Sequence, residues 1–294
     1  MKQALPKRLL RFLLVAAFAV AASAQFGGLL NSAKDKINAA KDKAKPITDR
    51  AQKASDTFAS WTPAEEQAIG DACAAKMAAI FGVVEDENLN KYVNLVGQTV
   101  SQFASRPLNY RFLILNTDEI AGAYAIPGGY IFITKAALAG ITSEAQLAGA
   151  LGHEITHCAD RHLEKEIRGK KTSSWAIEEA SAKATGDLAS LKADAMLKDL
   201  FGARLSRDKE DSADELGTLM AAKAGYNANG LVEVLQAMEA ASTKSETRRM
   251  FGQTLSTHPA FADRVAKLQP VVARAGTNGK VLEARYQATV LAVK

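Results

Sequence analysis

Two histidines and a glutamate at a fixed spacing are the residues of this sequence best suited to chemistry. His153, Glu154 and His157 form the pattern His-Glu-x-x-His. On a helix, residues four apart share a face, so both imidazoles can reach one metal ion, with Glu154 bordering that face. Zinc lowers the pKa of a bound water to about 7, and the carboxylate can accept its proton. The spacing predicts a zinc peptidase site with Glu154 as general base. The alternative is a helix with two structural histidines.

Such a site needs a third protein ligand. One known arrangement adds a glycine three residues and a histidine six residues after the second histidine, but Asp160 and Leu163 stand there and exclude it. Another takes a glutamate from a later helix, where Glu210 and Asp214 lie four residues apart. Like charges at this spacing weaken a helix unless something compensates, and a zinc ion would do so. Glu210 is then the predicted ligand, and Asp214 would hold the far nitrogen of a ligating histidine. The alternative is a solvated acidic face that also includes Asp208, Asp211 and Glu215.

Two further histidines and one arginine are weaker candidates. His162 comes nine residues after His153, about half a turn around a helix, which predicts a structural or capping role. His258 lies in a Thr-His-Pro turn, and Arg264 follows six residues later. Either could stabilise the oxyanion of a tetrahedral intermediate, and ordinary turn and surface chemistry is the alternative. His258 could instead occupy the fourth zinc position in a resting state.

The elements that must position these residues are mostly helices. Capping signals and apolar periodicity predict helices over 63–81, 87–103, 143–163, 204–224 and 231–241, and a last one through Lys267. Two strand patterns cover 110–115 and 130–134, with a Pro-Gly-Gly turn at 127–129. We therefore expect an α+β, mostly helical fold with a small β-sheet, in which one helix carries the His-Glu-x-x-His motif.

The charge of the chain is concentrated at its beginning. There are 37 Lys and Arg against 32 Asp and Glu, a formal net charge of +5. Four basic residues precede an apolar run over 12–22 and an Ala-Ser-Ala site, a pattern typical of a cleaved export signal over residues 1–24. An uncleaved anchor is the alternative, although the run is short for a bilayer span. Without residues 1–24, 33 basic residues face 32 acidic ones, so we expect no nucleic-acid partner.

The rest of the chain divides into three predicted segments. Residues 25–60 are rich in Lys, Asp and Ala, and their apolar positions alternate in steps of three and four. This favours a helical spacer; a partner-binding coil over 29–58 is the alternative. Residues 61–270 form the predicted zinc metallopeptidase domain, and 271–294 a C-terminal tail. Cys73 and Cys158 are the only cysteines, and either one disulfide or two buried thiols fits an exported chain.

Four ordered sequence blocks carry a resemblance to a known family. They are Ala123-Tyr-Ala-Ile-Pro-Gly-Gly-Tyr130, Gly152-His-Glu-Ile-Thr-His157 with Arg161-His162, Ser206 to Asp214 with Ala224-Gly225-Tyr226, and Thr257-His258-Pro259 with Arg264. The chain resembles the HtpX-like and CAAX-prenyl-protease-like gluzincin metallopeptidases, in particular their soluble BepA-like and LoiP-like bacterial envelope members. The resemblance implies one zinc ion held by His153, His157 and Glu210, with Glu154 as general base. It also implies a sheet edge near Ala123, Tyr124 and Ala125 that pairs with an extended substrate chain.

The expected protein is a zinc metalloendopeptidase of the bacterial envelope that hydrolyses unfolded or damaged polypeptides. We expect it in the periplasm, with secretion as the alternative, with no transmembrane helix in the mature chain and with outer-membrane assembly factors as candidate partners. The rival hypothesis is a peptide-binding chaperone or assembly factor that retains the zinc site but seldom cleaves.

Overall fold

The computed structural model describes residues 60–169, 205–242 and 261–291, with parts of a helical stretch between 190 and 200. The chain divides into two units, Met1–Ala59 and Ser60–Lys294. All described residues belong to the second unit. The predicted export signal, the predicted spacer up to residue 59 and His258 lie outside the described residues.

The described residues include nine α-helices and three strands whose bounds are given below, besides the helical stretch between 190 and 200. The helices are α1 Pro63–Phe81, α2 Glu87–Ser101, α3 Lys135–Gly140, α4 Glu144–Ala159, α5 His162–Gly169, α6 Arg207–Lys223, α7 Gly230–Ser242, α8 Phe261–Ala275 and α9 Glu283–Tyr286. The strands are β1 Arg111–Leu115, β2 Ala123–Ile126 and β3 Tyr130–Thr134. The predicted α+β, mostly helical architecture is confirmed. Within these residues, no helix combines the length and apolarity needed to cross a membrane.

The predicted capping signals start the first helix and the motif-bearing helix. Thr62 Oγ1 accepts a hydrogen bond from the Glu65 amide, and the Glu65 carboxylate accepts one from the Thr62 amide. At α4, Ser143 Oγ accepts from the Gln146 amide at 3.2 Å. The Gln146 side chain reaches back to the Thr142 amide at 2.9 Å, one residue earlier than a capping box requires.

The three strands form one mixed sheet in the order β1-β3-β2. β1 and β3 run parallel, with Arg111 opposite Tyr130, and β2 runs antiparallel to β3, with Ala123 opposite Ile133. The turn from β2 to β3 needs the positive φ of Gly128 and Gly129, 76° and 85°, which glycine adopts without steric cost. β2 is consequently a terminal strand of the sheet among the described residues.

Helix α4 lies in the centre of the unit. One apolar cluster packs α4 and α2 against one face of the sheet, through Leu147, Leu151, Val93, Ile131 and Ile133. A second cluster packs α1 against the other face, through Ile69, Met77, Leu115, Ile126 and Phe132. A third joins α7 and α8 through Leu231, Leu235, Leu268 and Val272. Since α4 is covered from several sides, nearly all of its residues are buried.

The motif-bearing helix is shorter than predicted. It ends at Ala159, and the chain reverses through Arg161, whose φ is +55°, before α5 begins at His162. A left-handed conformation is unfavourable for a non-glycine residue, so tertiary contacts must hold it. Arg161 Nη2 lies 2.7 Å from Glu66 Oε2, and its Nη1 donates to the Trp61 carbonyl at 3.1 Å. The prediction of one helix through Leu163 was therefore wrong.

Several residues of the C-terminal segment are buried within the second unit. Helix α8 continues beyond Lys267 to Ala275, with Val271 and Val272 buried. Tyr286 of α9 is fully buried, and its hydroxyl donates to the Leu138 carbonyl at 2.7 Å.

Both cysteines are free and buried, so the disulfide alternative is not formed. The Cys158 thiol donates to the Ile126 carbonyl at 3.2 Å, and Cys73 contacts Met196. Burial raises the pKa of Cys73 to about 12, so its thiol stays protonated at neutral pH.

Candidate active site

The site is built where helices α4 and α6 cross at close range. A Cβ added to Gly152 would lie 2.6 Å from the Gly217 carbonyl oxygen, and one added to Gly217 would lie 2.5 Å from the His153 amide nitrogen. Only two glycines allow the backbones to approach this closely. The crossing brings the face of α6 that carries Glu210 and Asp214 against the face of α4 that carries the histidines.

Three buried side chains converge at this crossing. The Nε2 atoms of His153 and His157 lie 2.9 Å apart. Glu210 Oε2 is 3.7 Å from His153 Nε2, and Glu210 Oε1 is 3.6 Å from His157 Nε2. The three residues are 5%, 6% and 0% exposed. The sequence-predicted ligands are thus brought together, and together they could hold a metal ion.

The donor set fits a tetrahedral divalent ion. Zinc bonds of about 2.0–2.2 Å to nitrogen and oxygen place tetrahedral ligands about 3.4 Å apart, and the separations here run from 2.9 to 3.7 Å. Two imidazoles and one carboxylate are the protein ligands of many catalytic zinc sites, which leave a fourth position open. The chemistry of the donors and their spacing are both consistent with a metal at this point.

Asp214 and Arg264 form a buried pair behind His153. Asp214 Oδ1 lies 2.9 Å from His153 Nδ1, which keeps the proton on Nδ1 and turns Nε2 towards the metal position. Arg264 donates to both Asp214 oxygens, from Nε at 2.7 Å and from Nη2 at 2.6 Å. Its Nη1 is also 3.4 Å from Glu210 Oε2. Arg264 is thus held between Asp214 and Glu210 of α6, which favours a positioning role over the oxyanion role expected from the sequence.

The electrostatics of this pair keep its charges in place. Burial alone would raise the pKa of Asp214, but hydrogen bonds from Arg264 and His153 outweigh it and lower the pKa to about 2. Burial lowers the pKa of His153, whereas the hydrogen bond and charge of Asp214 raise it, and the net shift is upwards. Asp214 therefore remains a carboxylate at any physiological pH and can orient His153 throughout.

His162 lies closer to the site than the sequence predicted. An uninterrupted helix would carry it away from His157, but the reversal at Arg161 folds it back. His162 Nδ1 lies 2.8 Å from His157 Nδ1, and His162 is 5% exposed. Burial lowers the pKa of His162 to about 4, so it is neutral at pH 7. Each of the two metal-facing histidines thus has a partner at its far nitrogen.

Glu154 faces a pocket beside the metal donors. The pocket has a volume of about 440 Å³, and His153, Glu154 and Arg264 line its polar end. Its walls come from the start of β2, the end of β3 and helices α3, α4 and α7, and include Ala123, Ile133, Ala137, Leu235 and Met238. Glu154 is 8% exposed. The metal donor His153 therefore shares one cavity with the Glu154 carboxylate and with a largely apolar surface.

The predicted substrate segment borders the same cavity. Ala123, Tyr124 and Ala125 lie in β2, the terminal strand, and Ala123 lines the pocket. Two hydrogen bonds between Gly122 and Thr134 hold the start of β2 in place. The Thr134 amide donates to the Gly122 carbonyl at 2.9 Å, and the Gly122 amide donates to Thr134 Oγ1 at 3.1 Å. Ala123 at the sheet edge and the metal donor His153 thus line the same pocket.

Sequence reasoning missed two features that shape the site. Gly217 was not singled out, although a lone glycine inside a helical pattern three residues after Asp214 is a signal of close packing. The contact between His162 and His157 has no local signal, because it depends on a turn held by Glu66, which lies 95 positions earlier than Arg161.

The helical fold, the two-histidine and one-glutamate donor set and the buried glutamate define a zincin-like metallopeptidase. The chain belongs to Peptidase family M48, whose sequence model matches residues 87–272. This match covers more than half of the chain and confirms the family resemblance drawn from the four sequence blocks.

Individual relatives share a modest part of the sequence. The beta-barrel assembly-enhancing protease of Escherichia coli K12 is 24% identical over 242 residues, which cover 75% of this chain and 48% of that protein. The metalloprotease YcaL of the same bacterium is 27% identical over 196 residues, 64% of this chain and 70% of YcaL. The mitochondrial metalloendopeptidase OMA1 of Schizosaccharomyces pombe is 29% identical over 154 residues, which cover 52% of this chain and 44% of OMA1. The chain spans about half the length of the first of these relatives.

Proposed function

We propose that this chain is a zinc-dependent metalloendopeptidase of the bacterial cell envelope that hydrolyses unfolded or damaged polypeptides. The observation that carries the proposal is a largely apolar cavity lined by Glu154 and by His153, one of the three residues that could hold a metal ion. A metallopeptidase needs a metal site, a general base and a place for the substrate chain.

The proposed roles follow from the geometry. His153, His157 and Glu210 would hold the ion, which supplies Lewis-acid activation of a water and of the scissile carbonyl when bound. Glu154 accepts the proton of the attacking water and delivers it to the leaving amine. Asp214 fixes the ring of His153, and Arg264 fixes Asp214. For His258 the proposal is a contact with the oxyanion or with the open metal position.

The substrate class follows from the pocket and the sheet edge. A chain that pairs with β2 at Ala123 through Ala125 is recognised by its backbone, which suits many sequences. It can place one apolar side chain against Leu235 and Met238 of the pocket. Large apolar side chains are mostly buried in folded proteins and accessible in unfolded ones. These features support unfolded polypeptides as substrates.

The location and partners rest on the sequence and on the relatives. The pattern over residues 1–24 supports export by a cleaved signal to the periplasm. One relative's name connects it with beta-barrel assembly, which supports outer-membrane assembly factors as partners of this chain. N-terminal sequencing of protein from a periplasmic fraction tests the first point, with Gln25 as the expected first residue.

Metal-dependent cleavage of an unfolded protein tests the activity. Casein is incubated with the purified chain, with the chain after chelation, and with the chelated chain after zinc is restored. We expect cleavage in the first and third samples only. Metal content measured in each sample shows whether activity follows occupancy.

The same samples separate the rival function. A zinc-loaded chain that leaves casein intact but suppresses the aggregation of unfolded proteins would support a peptide-binding chaperone instead. Cleavage that persists after the metal has been removed would contradict the metalloendopeptidase assignment.

A further inference from the structure

His157 has an unusual neighbour at its far ring nitrogen. His162 Nδ1 lies 2.8 Å from His157 Nδ1, and the ring centroids are 5.0 Å apart at an interplanar angle of 70°. Both side chains are buried. Metal-ligating histidines usually donate this second N–H to a carboxylate, a backbone carbonyl or a water, and His153 Nδ1 lies 2.9 Å from an Asp214 oxygen. Here the acceptor is a second imidazole.

The chain builds this contact through the reversal at Arg161. The φ of +55° at Arg161 ends α4 and places the first residue of α5 back against His157. The reversal is braced from the start of α1, by Glu66 at 2.7 Å from Arg161 and by the Trp61 carbonyl at 3.1 Å. Glu164 of α5 accepts from the Trp61 amide at 2.9 Å. Four buried or half-buried groups thus fix where His162 stands.

The direction of the hydrogen bond follows from the donor set. The Nε2 atom of His157 belongs to the cluster of metal donors, so its lone pair must face the ion and its proton must be on Nδ1. That proton points at His162 Nδ1, which must then be the unprotonated nitrogen. The proton of His162 is on Nε2, the atom that lies 3.9 Å from Asp160 Oδ2. An imidazole nitrogen can accept this hydrogen bond without placing a carboxylate next to His157.

We propose that His162 is a positioning residue, which holds His157 in the tautomer and ring orientation that bind the metal. The inference rests on the proposed function only in taking His157 as a ligand. The proposed acceptor is one atom, His162 Nδ1, so substitutions that keep or remove an acceptor at that position test the role.

The test compares three substitutions of His162 in the full chain carrying Glu154→Gln, so that proteolysis cannot intervene. In His162→Asn, an amide oxygen branches from the same carbon as Nδ1 and can accept the bond. In His162→Gln, the amide lies one methylene further out and misses that position. His162→Leu has no acceptor. Zinc affinity is measured by competition with a chromophoric chelator. The stability of the metal-free proteins is measured as the midpoint of urea unfolding.

We expect zinc affinity within about threefold of the parent for Asn and about 10–100-fold weaker for Gln and Leu. We expect equal urea midpoints for the metal-free Asn and Gln variants, because the difference lies in metal binding rather than in folding. The Asn and Gln pair decides the matter even if the Leu variant does not fold. Equal affinities for Asn and Gln, or a loss for Asn as large as that for Gln, would overturn the proposal.

The experiment also separates this inference from the proposed function. The affinities are measured without substrate, in a background that lacks the general base. A parent chain that binds zinc but cleaves nothing would end the peptidase proposal and leave the affinity order intact. A normal peptidase whose Asn and Gln variants bind zinc equally would end only the role of His162.

Discussion

Helix α4 carries a buried charged cluster at each end, and the two clusters are built differently. At its beginning, Glu144 accepts hydrogen bonds from Tyr92 at 2.6 Å and from Tyr226 at 2.8 Å, and Arg285 pairs with the same carboxylate. At its other end, His153, His157 and Glu210 bring nitrogen and carboxylate atoms together within 4.8 Å. The first cluster pairs an acceptor with donors, whereas the second gathers acceptors around one point.

The two clusters have different roles, because one is complete without an ion and the other is suited to hold one. A buried carboxylate that receives several hydrogen bonds is stable as it stands, and Glu144 connects α4 to α2 and to the C-terminal segment. A set of converging acceptors is stabilised by a cation. We therefore expect changes at Glu144 to alter folding stability without altering metal binding, and changes around His153 to do the reverse.

The largest expected effect is on the rate, from Glu154→Gln. The amide cannot accept a proton from the attacking water, so kcat/KM for a casein-derived peptide should fall by about 10²–10⁴-fold. Zinc affinity should be unchanged, because Glu154 is not among the three ligands. The matched control is Glu144→Gln, the same substitution on the same helix, which should retain its rate at temperatures where it is folded. Equal rates for the parent chain and Glu154→Gln would contradict the mechanism.

The next effect is on metal binding, from Asp214→Asn. The amide loses the charge that pairs with Arg264 and orients His153, so zinc affinity should fall by about 10–100-fold. Chelator competition measures it. Asp211→Asn is the control, because Asp211 is on the same helix and pairs with the exposed Lys267, a contact of about 0–1 kcal/mol. If both variants bind zinc alike, the orienting role of Asp214 is wrong.

Much of the metal site could be predicted from the sequence because its information is local. The spacing of His153 and His157 places both on one face of any helix, and the spacing of Glu210 and Asp214 does the same. The capping residues Thr62 and Ser143 specified where two helices begin, since they act on neighbouring amides. These predictions needed no knowledge of tertiary structure.

The rest depended on contacts between distant residues. The end of α4 could not be predicted, because a left-handed Arg161 becomes favourable only when Glu66 is beside it. The close crossing at Gly217 depends on a glycine of another helix. The burial of the C-terminal segment depends on Arg285 reaching Glu144, 141 residues earlier. No local pattern reports such pairings.

The cluster at the beginning of α4 should respond to pH through folding stability. Burial would raise the pKa of Glu144, but hydrogen bonds from Arg285, Tyr92 and Tyr226 outweigh it and lower the pKa. A carboxyl with a depressed folded pKa contributes stability above its unfolded pKa, about 4.3, and loses it as the pH falls through the folded value. Glu144→Gln should therefore cost about 1–3 kcal/mol at pH 7, and less below pH about 4. Urea unfolding of the metal-free parent and Glu144→Gln proteins from pH 7 to pH 3 measures this loss of unfolding free energy at each pH. A loss that does not become smaller in acid would mean that the negative charge of Glu144 does not contribute to stability.

The smallest expected effects come from single hydrogen bonds to Glu144. Tyr92→Phe and Tyr226→Phe each remove one hydroxyl donor, and we expect losses of about 0.5–1.5 kcal/mol in the free energy of unfolding. The loss should be larger for Tyr226, which is only 7% exposed, than for the half-buried Tyr92, where water can replace the hydroxyl. Zinc affinity should be the same in both variants as in the parent chain. A change in zinc affinity from either would show that the two ends of α4 are coupled, and the separation between a structural end and a metal-binding end would not hold.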